Sequence, residues 1–245
     1  MYPCILCSTV MRRVLPIALI VLAACTSGIS LKSERIRESD AASTVDIRFP
    51  QIRGLPEDAA LDLNGQLKQV ADTLLGEFRR TVVSIRKTQS GEQMSVLVVT
   101  YEPSLISPRL VSLSFSVSSS LQGAANPNRY RLSFNFDIAR RTALTLVDIF
   151  ADQDAGLRKL SAVAVRELTD HARRKGKLDD ARARQIAEGA SPVSENFRTF
   201  TFEDGAMVFW FAPSQTGPAS EGEQRVRIPL TELAPLLREG ISALL

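Results

Sequence analysis

The chain has 245 residues, of which 44% are hydrophobic and 23% are charged, a balance typical of a globular protein. Arg12 and Arg13 are the only charged residues before Cys25, so the formal net charge of +3 falls to +1 for the chain from Cys25 onward. A surface this close to neutral argues against a general nucleic-acid-binding protein, so we expect no nucleic-acid partner.

The N-terminal region has the layout of an export signal. Met11, Arg12 and Arg13 give a positively charged start, and Val14 to Leu22 form an apolar run too short to cross a bilayer as a permanent helix. The run ends at Leu22-Ala23-Ala24-Cys25, which resembles the lipobox of bacterial lipoproteins. In that family the cysteine carries a diacyl group on sulfur and becomes the mature N-terminus. The resemblance implies a signal peptide over residues 1–24 and lipid attachment at Cys25.

The cysteines and the residue after Cys25 add two expectations. If translation starts at Met11, Cys4 and Cys7 are never made. If it starts at Met1, they belong to a longer signal peptide and are removed with it. Either way we expect no disulfide framework, no thiolate metal site and no cysteine nucleophile. Thr26 rather than aspartate follows Cys25, which by resemblance to proteobacterial lipoproteins favours the outer membrane, facing the periplasm.

The first part of the predicted domain contains a strand and a helix. Residues 25–44 are polar and lack an apolar period, so we predict a flexible tether before a single domain over residues 45–245. Alternation predicts a strand from Val45 to Phe49, which is followed by a proline-bounded turn. An apolar stripe with helical spacing then predicts a helix from Glu57 to about Arg80; its members are Leu63, Leu67, Val70, Leu74 and Phe78.

The middle of the chain alternates with a period of two. We predict a hairpin in which Val83 and Ile85 precede a turn at residues 89–92 and Val96 and Val98 follow it. In the next strand apolar residues alternate with serines; the serines are Ser112, Ser114, Ser116 and Ser118. We interpret the serines as the solvated face of an antiparallel strand, with a row of nucleophiles or glycan contacts as the alternative. Another alternating strand runs from Tyr130 to Ile138.

The second half of the chain contains more helix. A helix is predicted from about Asp154 to Arg174, with Asp152 or Asp154 as its N-terminal cap; a calcium loop that includes Asp148 is the alternative. A short helix near residues 178–188, a hairpin through Asp204-Gly205, a strand around Val226 and a terminal helix from Thr231 to about Arg238 follow. The order predicts an α+β fold, with a mainly antiparallel sheet packed against helices around one core.

The sequence does not point to catalysis. His171 is the only histidine, and its position three residues after Leu168 favours a helix end over a catalytic base. The chain has no nucleophile elbow and no phosphate-binding glycine-rich loop, so we expect no metal, no cofactor and no enzymatic activity. The basic run from Ala172 to Lys177 is interpreted as a solvated helix face, with contact to anionic lipid headgroups or polyanions as the alternative.

Several segments together resemble a known family. They are Phe134-Asn135-Phe136-Asp137-Ile138, Leu144 to Phe150, Asp204 to Pro213, Ile228 to Leu233 and, earlier, Phe49 to Leu55 before a helix containing Asn64. This series is similar to the bacterial envelope domain that forms the extracellular region of RsiV-type anti-sigma factors. The resemblance implies a domain that binds lysozyme. Similar domains are also attached to polysaccharide deacetylases, but this chain lacks a deacetylase zinc-ligand set.

Two differences from that family matter for function. An N-terminal lipid replaces the cytoplasmic sigma-binding segment, and the loop from Pro213 to Gly222 lacks the tyrosines that the family tends to carry. Short polar residues in this loop favour a recognition surface presented by a rigid strand. We therefore expect Ser214, Gln215 and Glu221 to contact a ligand, with Glu221 suited to a cationic protein such as lysozyme.

The sequence thus predicts a non-enzymatic envelope protein, held to the membrane through its N-terminal lipid. Its exported domain is expected to bind a protein or a cell-wall ligand, with lysozyme and peptidoglycan as the candidates. An accessory factor for peptidoglycan-modifying enzymes and a structural lipoprotein are the alternatives.

The Cys25→Ser variant tests the lipid anchor. Acylation requires the thiol, so the variant should remain uncleaved or be misplaced, whereas wild-type protein should incorporate fatty acid during metabolic labelling. Absence of label from the wild type would contradict the assignment.

Overall fold

The computed structural model of the protein describes residues 28–88 and 93–244. The export signal, Cys25 and the predicted turn at residues 89–92 lie outside these ranges. The described part is an α+β fold with a mainly antiparallel sheet, as the sequence predicts.

A six-stranded sheet forms the first layer. Its strands are β1 (Ser30–Ser39), β2 (Ser43–Arg53), β3 (Ser95–Ile106), β4 (Leu110–Ser120), β5 (Asn128–Asp137) and β6 (Thr142–Ala143), in that order across the sheet. The β2 and β3 strands are parallel, and all other neighbours are antiparallel.

Helix α1 (Glu57–Thr88) covers one face of this sheet. The predicted stripe lies against the strands: Leu63 and Leu67 are fully buried, and Leu74 and Phe78 are nearly so. They meet the odd-numbered side chains of β4, among which Phe115 is 1% exposed. The amide of Asn64 fixes the helix to the end of β2, because it accepts from the Ile52 N–H (2.7 Å) and donates to the Ile52 carbonyl (2.9 Å).

The prediction of a flexible tether over residues 25–44 is wrong where the structure describes it. Residues 30–39 form β1, which pairs with β2 over its whole length. The strand lacks an apolar period because it lies at the sheet edge and is mostly exposed. Backbone hydrogen bonds and cross-strand ion pairs, such as Arg35 with Asp46, hold it in place.

The predicted first hairpin is also wrong, because Val83 and Ile85 belong to the last turns of α1. Val82, one helical turn after Phe78, continues the buried stripe, whereas Val83 is 56% exposed. The helix thus connects two parallel strands, β2 and β3, and parallel neighbours require a crossover of this kind rather than a tight turn.

A second, smaller sheet forms another layer. It contains β7 (Phe200–Glu203), β8 (Ala206–Phe211) and β9 (Gln224–Pro229), all antiparallel, and Asp204-Gly205 joins the first two as predicted. The helices in this half are α2 (Leu146–Ile149), α3 (Gln153–Arg174), α4 (Asp180–Gly189) and α5 (Leu230–Leu233). The Asp152 side chain accepts a hydrogen bond from the Ala155 N–H (3.0 Å), which confirms its role as the cap of α3. The predicted terminal helix is shorter than expected, because Pro235 lies in a 3₁₀ turn directly after α5.

Buried apolar side chains form two clusters rather than the single core that we expected. One lies between α1 and the large sheet, and the other between the small sheet and α3. The large sheet separates the two clusters, and its face that carries the β4 serines lies toward the small sheet. We call Ser112, Ser133 and Asn135 the polar seam, because β7 lies across the large sheet at these side chains.

The polar seam binds the backbone of β7. The Ser112 hydroxyl donates to Asn135 Oδ1 (2.7 Å), Asn135 Nδ2 donates to the Phe200 carbonyl (2.9 Å), and the Phe202 N–H donates to Ser112 Oγ (2.7 Å). Ser133 Oγ accepts from the Phe200 N–H (3.1 Å). These bonds satisfy the backbone groups of an edge strand that the small sheet leaves unpaired.

Our interpretation of the β4 serines as a solvated face is therefore wrong for two of them. Ser112 is 0% exposed and Ser114 is 1% exposed, because the small sheet covers them. Ser116 and Ser118 lie beyond its edge and are half-buried.

No helix within residues 28–88 or 93–244 combines the length and apolar character needed to cross a membrane.

The Asn135→Leu variant tests the polar seam. The substitution leaves the Phe200 carbonyl and the Ser112 hydroxyl buried without their partner, so the free energy of unfolding should fall by about 2 kcal/mol or more in urea denaturation. Asn128→Leu, at an exposed position of the same strand, is the control and should change stability by less than about 0.5 kcal/mol. Equal losses in the two variants would contradict the role of the seam.

Candidate functional site

A groove of about 920 Å³ adjoins the predicted recognition loop. We call it the strand–loop groove. Its floor consists of side chains from β3, β4 and β5 that lie beyond the edge of the small sheet. The strand register aligns them in two rows, Val98 with Ser118 and Arg129, and Thr100 with Ser116 and Arg131.

The walls of the groove come from two loops. Asn126 and Pro127 lie just before β5 on one side, next to Asn128 at the start of the strand. On the other side lie residues of the segment between β8 and β9, namely Pro213, Ala219, Gly222 and Glu223. Hydroxyl, amide and guanidinium groups therefore surround a floor that also carries the exposed side chain of Val98. This mixture of donors, acceptors and apolar surface can bind a polar, extended ligand.

Arg131 fixes the floor to the second loop. Its guanidinium donates to Ser114 Oγ (2.7 Å) and Glu223 Oε2 (2.9 Å), lies 4.1 Å from the centre of the Trp210 ring, and is 13% exposed. A charge-assisted contact of this kind, held in a largely buried position, fixes where the groove wall lies. Arg131 is therefore a structural element of the groove, and the more exposed Arg129 has no ion pair with any residue that the structure describes.

Trp210 does not offer a free ring to a sugar. Arg131 and Arg225 lie over its ring, at 4.1 Å and 5.3 Å from the centre, and its indole N–H donates to Thr201 Oγ1 (3.4 Å). The ring instead forms part of a second depression of about 530 Å³ that adjoins the strand–loop groove at Tyr130 and Arg131.

Gln215, one of the predicted ligand contacts, binds its own chain. Its side-chain amide donates to the Gly189 carbonyl (2.9 Å) at the end of α4 and accepts from the Ala212 N–H (3.0 Å). Ser214 is exposed and has a positive φ of 71°, and its carbonyl accepts from Gln185 of α4 (2.9 Å). The loop from Pro213 to Gly222 is thus fastened to α4.

Glu221, the predicted contact for a cationic partner, is already paired. It accepts hydrogen bonds from Arg182 (2.8 Å) and contacts Lys177 (3.2 Å). Arg182 is 7% exposed and packs against Gly217 so closely that a Cβ there would lie 1.4 Å from Arg182 Nη1. A side chain at position 217 would therefore displace the arginine that neutralises Glu221.

The loop that we predicted to carry recognition does border the groove, but through other residues than expected. Pro213, Ala219 and Gly222 line the strand–loop groove, whereas Gln215 and Glu221 hold the loop in place. The sequence analysis missed the floor residues, although the alternative interpretation of the serines as glycan contacts included Ser116 and Ser118. Nothing in the sequence indicates that Ser112 and Ser114 are covered, and this covering leaves only Ser116 and Ser118 of the four serines accessible.

His171 and the aspartates of the calcium alternative do not belong to this groove. Asp148 accepts hydrogen bonds from the Thr145 backbone and side chain (both 2.8 Å), and Asp152 caps α3. Within residues 28–88 and 93–244, no group of three or more His, Cys, Asp or Glu side chains is placed to hold a metal ion.

Comparisons with known proteins match part of the chain to a family model and most of it to a peptidoglycan deacetylase. Residues 147–231 match the family model described as "Protein of unknown function (DUF3298)". Over 193 residues the chain is 25% identical to peptidoglycan-N-acetylmuramic acid deacetylase PdaC of Bacillus subtilis. The alignment covers 79% of this chain and 38% of PdaC. The chain thus spans less than half the length of that relative.

Solved structures share the fold. A DUF3298 family protein from Pseudomonas aeruginosa has a TM-score of 0.60 at 13% identity, and the match covers 86% of this chain and 95% of the other. A DUF3298 member from Bacteroides fragilis has a TM-score of 0.59 at 13% identity, with 86% and 94% covered. At this identity the likeness establishes the α+β architecture.

The pairing of Glu221 predicts an acid-dependent loss of stability. Although partial burial opposes the charged form, hydrogen bonding from Lys177 and the charge of Arg182 lower the pKa of Glu221 below its ordinary value of 4.5. Because the folded-state pKa is below the unfolded-state pKa, the charged carboxylate stabilises the fold at pH values above the unfolded-state pKa. This contribution is lost as the pH falls through the folded-state pKa. Glu221→Gln should therefore reduce the free energy of unfolding near pH 7, and its difference from wild type should shrink below about pH 4.5.

Denaturant titrations across this pH range would measure the effect. Glu239→Gln, which changes an exposed carboxylate that forms no ion pair within residues 28–88 and 93–244, should follow the wild-type curve. A pH-independent difference for the Glu221 variant would contradict the assignment.

Proposed function

We propose that this chain is a lipid-anchored envelope protein that binds peptidoglycan in the strand–loop groove without transforming it. The observation that carries the proposal is the groove floor, in which two cross-strand rows present serine, threonine and arginine side chains next to an accessible valine. The relationship to a peptidoglycan deacetylase over most of this chain supports a cell-wall ligand.

The groove chemistry matches a glycan with attached peptides. Sugar hydroxyl and amide groups need both donors and acceptors, which Ser116, Ser118, Asn126 and Asn128 supply. The guanidinium of Arg129 is exposed at the same end and suits a peptide carboxylate. Each such contact contributes on the order of 1 kcal/mol, so an extended ligand that makes several of them gains useful affinity.

The carboxylates of the groove favour binding over catalysis. Glu223 is the only carboxylate among the described residues that line it, and Arg131 binds that group at 2.9 Å. Hydrolysis of a glycosidic bond usually requires two carboxylates facing each other across the ligand. The proposal is therefore a binding module.

Lysozyme is the other candidate ligand, and the geometry favours it less. The expected attraction of a cationic protein to Glu221 is reduced because Lys177 and Arg182 already neutralise that carboxylate. The polar groove, by contrast, has room for an extended chain. We therefore place peptidoglycan first and use lysozyme as the competing ligand in the test.

Co-sedimentation of the full chain with purified peptidoglycan, beside a pull-down on immobilised lysozyme, tests the proposal. The Asn128→Ala/Arg129→Ala double variant removes two exposed groups from the groove, and its affinity for peptidoglycan should fall about tenfold. The matched control is Arg48→Ala/Gln51→Ala, which removes an arginine and an amide from β2, away from the groove.

The control variant should bind as wild type does, and both doubles should retain wild-type stability. Retention of lysozyme but not of peptidoglycan by the wild-type chain would overturn the choice of ligand. Equal binding of peptidoglycan by the groove variant and wild type would show that the ligand does not occupy this groove.

A further inference from the structure

We propose that the outer edge of strand β5 binds an extended peptide segment of a partner protein, which adds to the large sheet as a further strand. The edge is open because β6 pairs with β5 only at Phe136 and Asp137. Among the residues that the structure describes, no strand pairs with the rest of this edge, from Asn128 to Phe134. Neither the proposed peptidoglycan binding nor the comparisons assign it a role.

The backbone of β5 directs hydrogen-bonding groups to this edge. The Leu144 N–H donates to the Asn135 carbonyl on the outer side (2.7 Å), whereas the Ile138 N–H donates to the Arg109 carbonyl on the β4 side (3.0 Å). Because the backbone groups of successive residues in a strand alternate in direction, the odd-numbered residues of β5 face outward. The N–H and C=O groups at positions 129, 131 and 133 therefore lie at the edge without a backbone partner in residues 28–88 and 93–244.

Two hollows flank the edge, one on each face of the sheet. The first, of about 460 Å³, lies between β5 and α1, and the second is the depression of about 530 Å³ that contains Trp210. Tyr130 and Leu132 line both, so the two hollows meet along the edge itself. An added strand points successive side chains to opposite faces, and each face of this edge has space to receive them.

The hollow between β5 and α1, which we call the α1 hollow, complements apolar side chains next to a basic one. Val70, Leu132 and Phe134 supply apolar surface, and the first two are only half-buried. Glu77 also lines the hollow and has no ion pair in the described part of the chain. It lies near Tyr130, whose pKa is raised by burial and, second, by the charge of Glu77. A lysine or arginine of the partner segment would neutralise this carboxylate.

The Trp210 side of the edge favours polar side chains. Glu195 and Arg198 line that depression with one exposed charge of each sign, and Thr199 adds a hydroxyl group. The partner segment is therefore expected to alternate apolar residues, which face α1, with polar residues, which face Trp210.

A second copy of this chain fits the edge less well than a single peptide segment. Pairing of two β5 edges would place Arg129 and Arg131 of both copies on one face of the joined sheet, where like charges repel each other. Each copy would also bring its own α1 and small sheet to the junction, whereas a single strand needs only the space between these layers.

Fluorescence anisotropy of the full chain with synthetic heptapeptides tests the edge. The probe Lys-Thr-Val-Thr-Val-Thr-Lys presents valines and lysines on one face of a strand and threonines on the other, in either chain direction. It should bind about fivefold more tightly than Glu-Thr-Val-Thr-Val-Thr-Glu, because only the lysines attract Glu77. In the Glu77→Gln variant this preference should fall below about twofold.

Methylation of the peptide backbone distinguishes strand pairing from contact with the hollows alone. Alternate N–H groups of a strand face the same way, so methyl groups on the valine amides and on the threonine amides block opposite edges of the probe. One of these two methylated peptides should bind about tenfold more weakly than the probe, and the other should stay within about threefold. Equal effects of the two methylations would overturn the strand addition.

The Thr73→Arg variant tests the location of the site. It places a long cationic side chain over the α1 hollow from an exposed helix position, so probe binding should weaken about tenfold. Thr81→Arg is the matched control, because it makes the same change at an exposed position of α1 that does not line the hollow. Its affinity should stay within about twofold of wild type. All of these proteins should bind peptidoglycan equally, which separates this test from that of the strand–loop groove.

Three further outcomes would overturn the proposal. Absence of probe binding by wild type at millimolar concentration would show that the edge is not a peptide site. Equal losses in Thr73→Arg and Thr81→Arg would show that binding depends on overall charge. A wild-type chain that sediments as a dimer, and becomes monomeric in Thr73→Arg, would assign the edge to a second copy instead of a partner segment.

Discussion

The hydrogen bonds of the polar seam determine how the two layers of this protein fit together. Strand β7 lies at the edge of the small sheet, and its backbone would be buried without partners against the large sheet if Asn135, Ser112 and Ser133 were apolar. A buried, unpaired peptide group costs about 1–3 kcal/mol, so other positions of the small sheet on this face are disfavoured. The small sheet therefore packs on the large sheet in one defined position, although the contact between them is polar.

The position of the small sheet in turn decides where the candidate groove lies. The sheet covers Ser112 and Ser114 but ends before Ser116, so the outer part of the same β4 face stays accessible. Strand β8 also presents the loop from Pro213 to Gly222 at this boundary. Gln215 binds the Gly189 carbonyl of α4, and Glu221 binds Arg182 of the same helix. Because these contacts hold the loop in place, the groove wall is formed before any ligand binds, which reduces the entropy lost on binding.

Charge pairing leaves the strand–loop groove mainly polar. Arg131 and Glu223 neutralise each other at its edge, so the groove offers hydrogen bonds to an extended neutral or mixed ligand. Glu167 and Glu221, which lie nearer to α3 and β9, likewise bind arginines, Arg166 and Arg182.

The sequence by itself determined the elements whose signal is local. The spacing of Leu63, Leu67 and Phe78 identified the buried face of α1, and Asp204-Gly205 identified the turn between β7 and β8. The start of α3 was narrowed to a cap at Asp152 or Asp154, of which the structure shows Asp152. These features depend on residues within a few positions of each other, so the local sequence pattern is sufficient to predict them.

Only the tertiary structure decided which polar residues are buried and what they bind. Ser112 and Asn135 meet the backbone of residues 200 and 202, Glu221 meets Arg182, and the polar strand β1 is ordered by its pairing with β2. Alternation shows which side chains share a strand face but not whether another layer covers that face. The partners come from distant parts of the chain, and hydrogen bonding that satisfies a buried group leaves no periodic trace in the sequence.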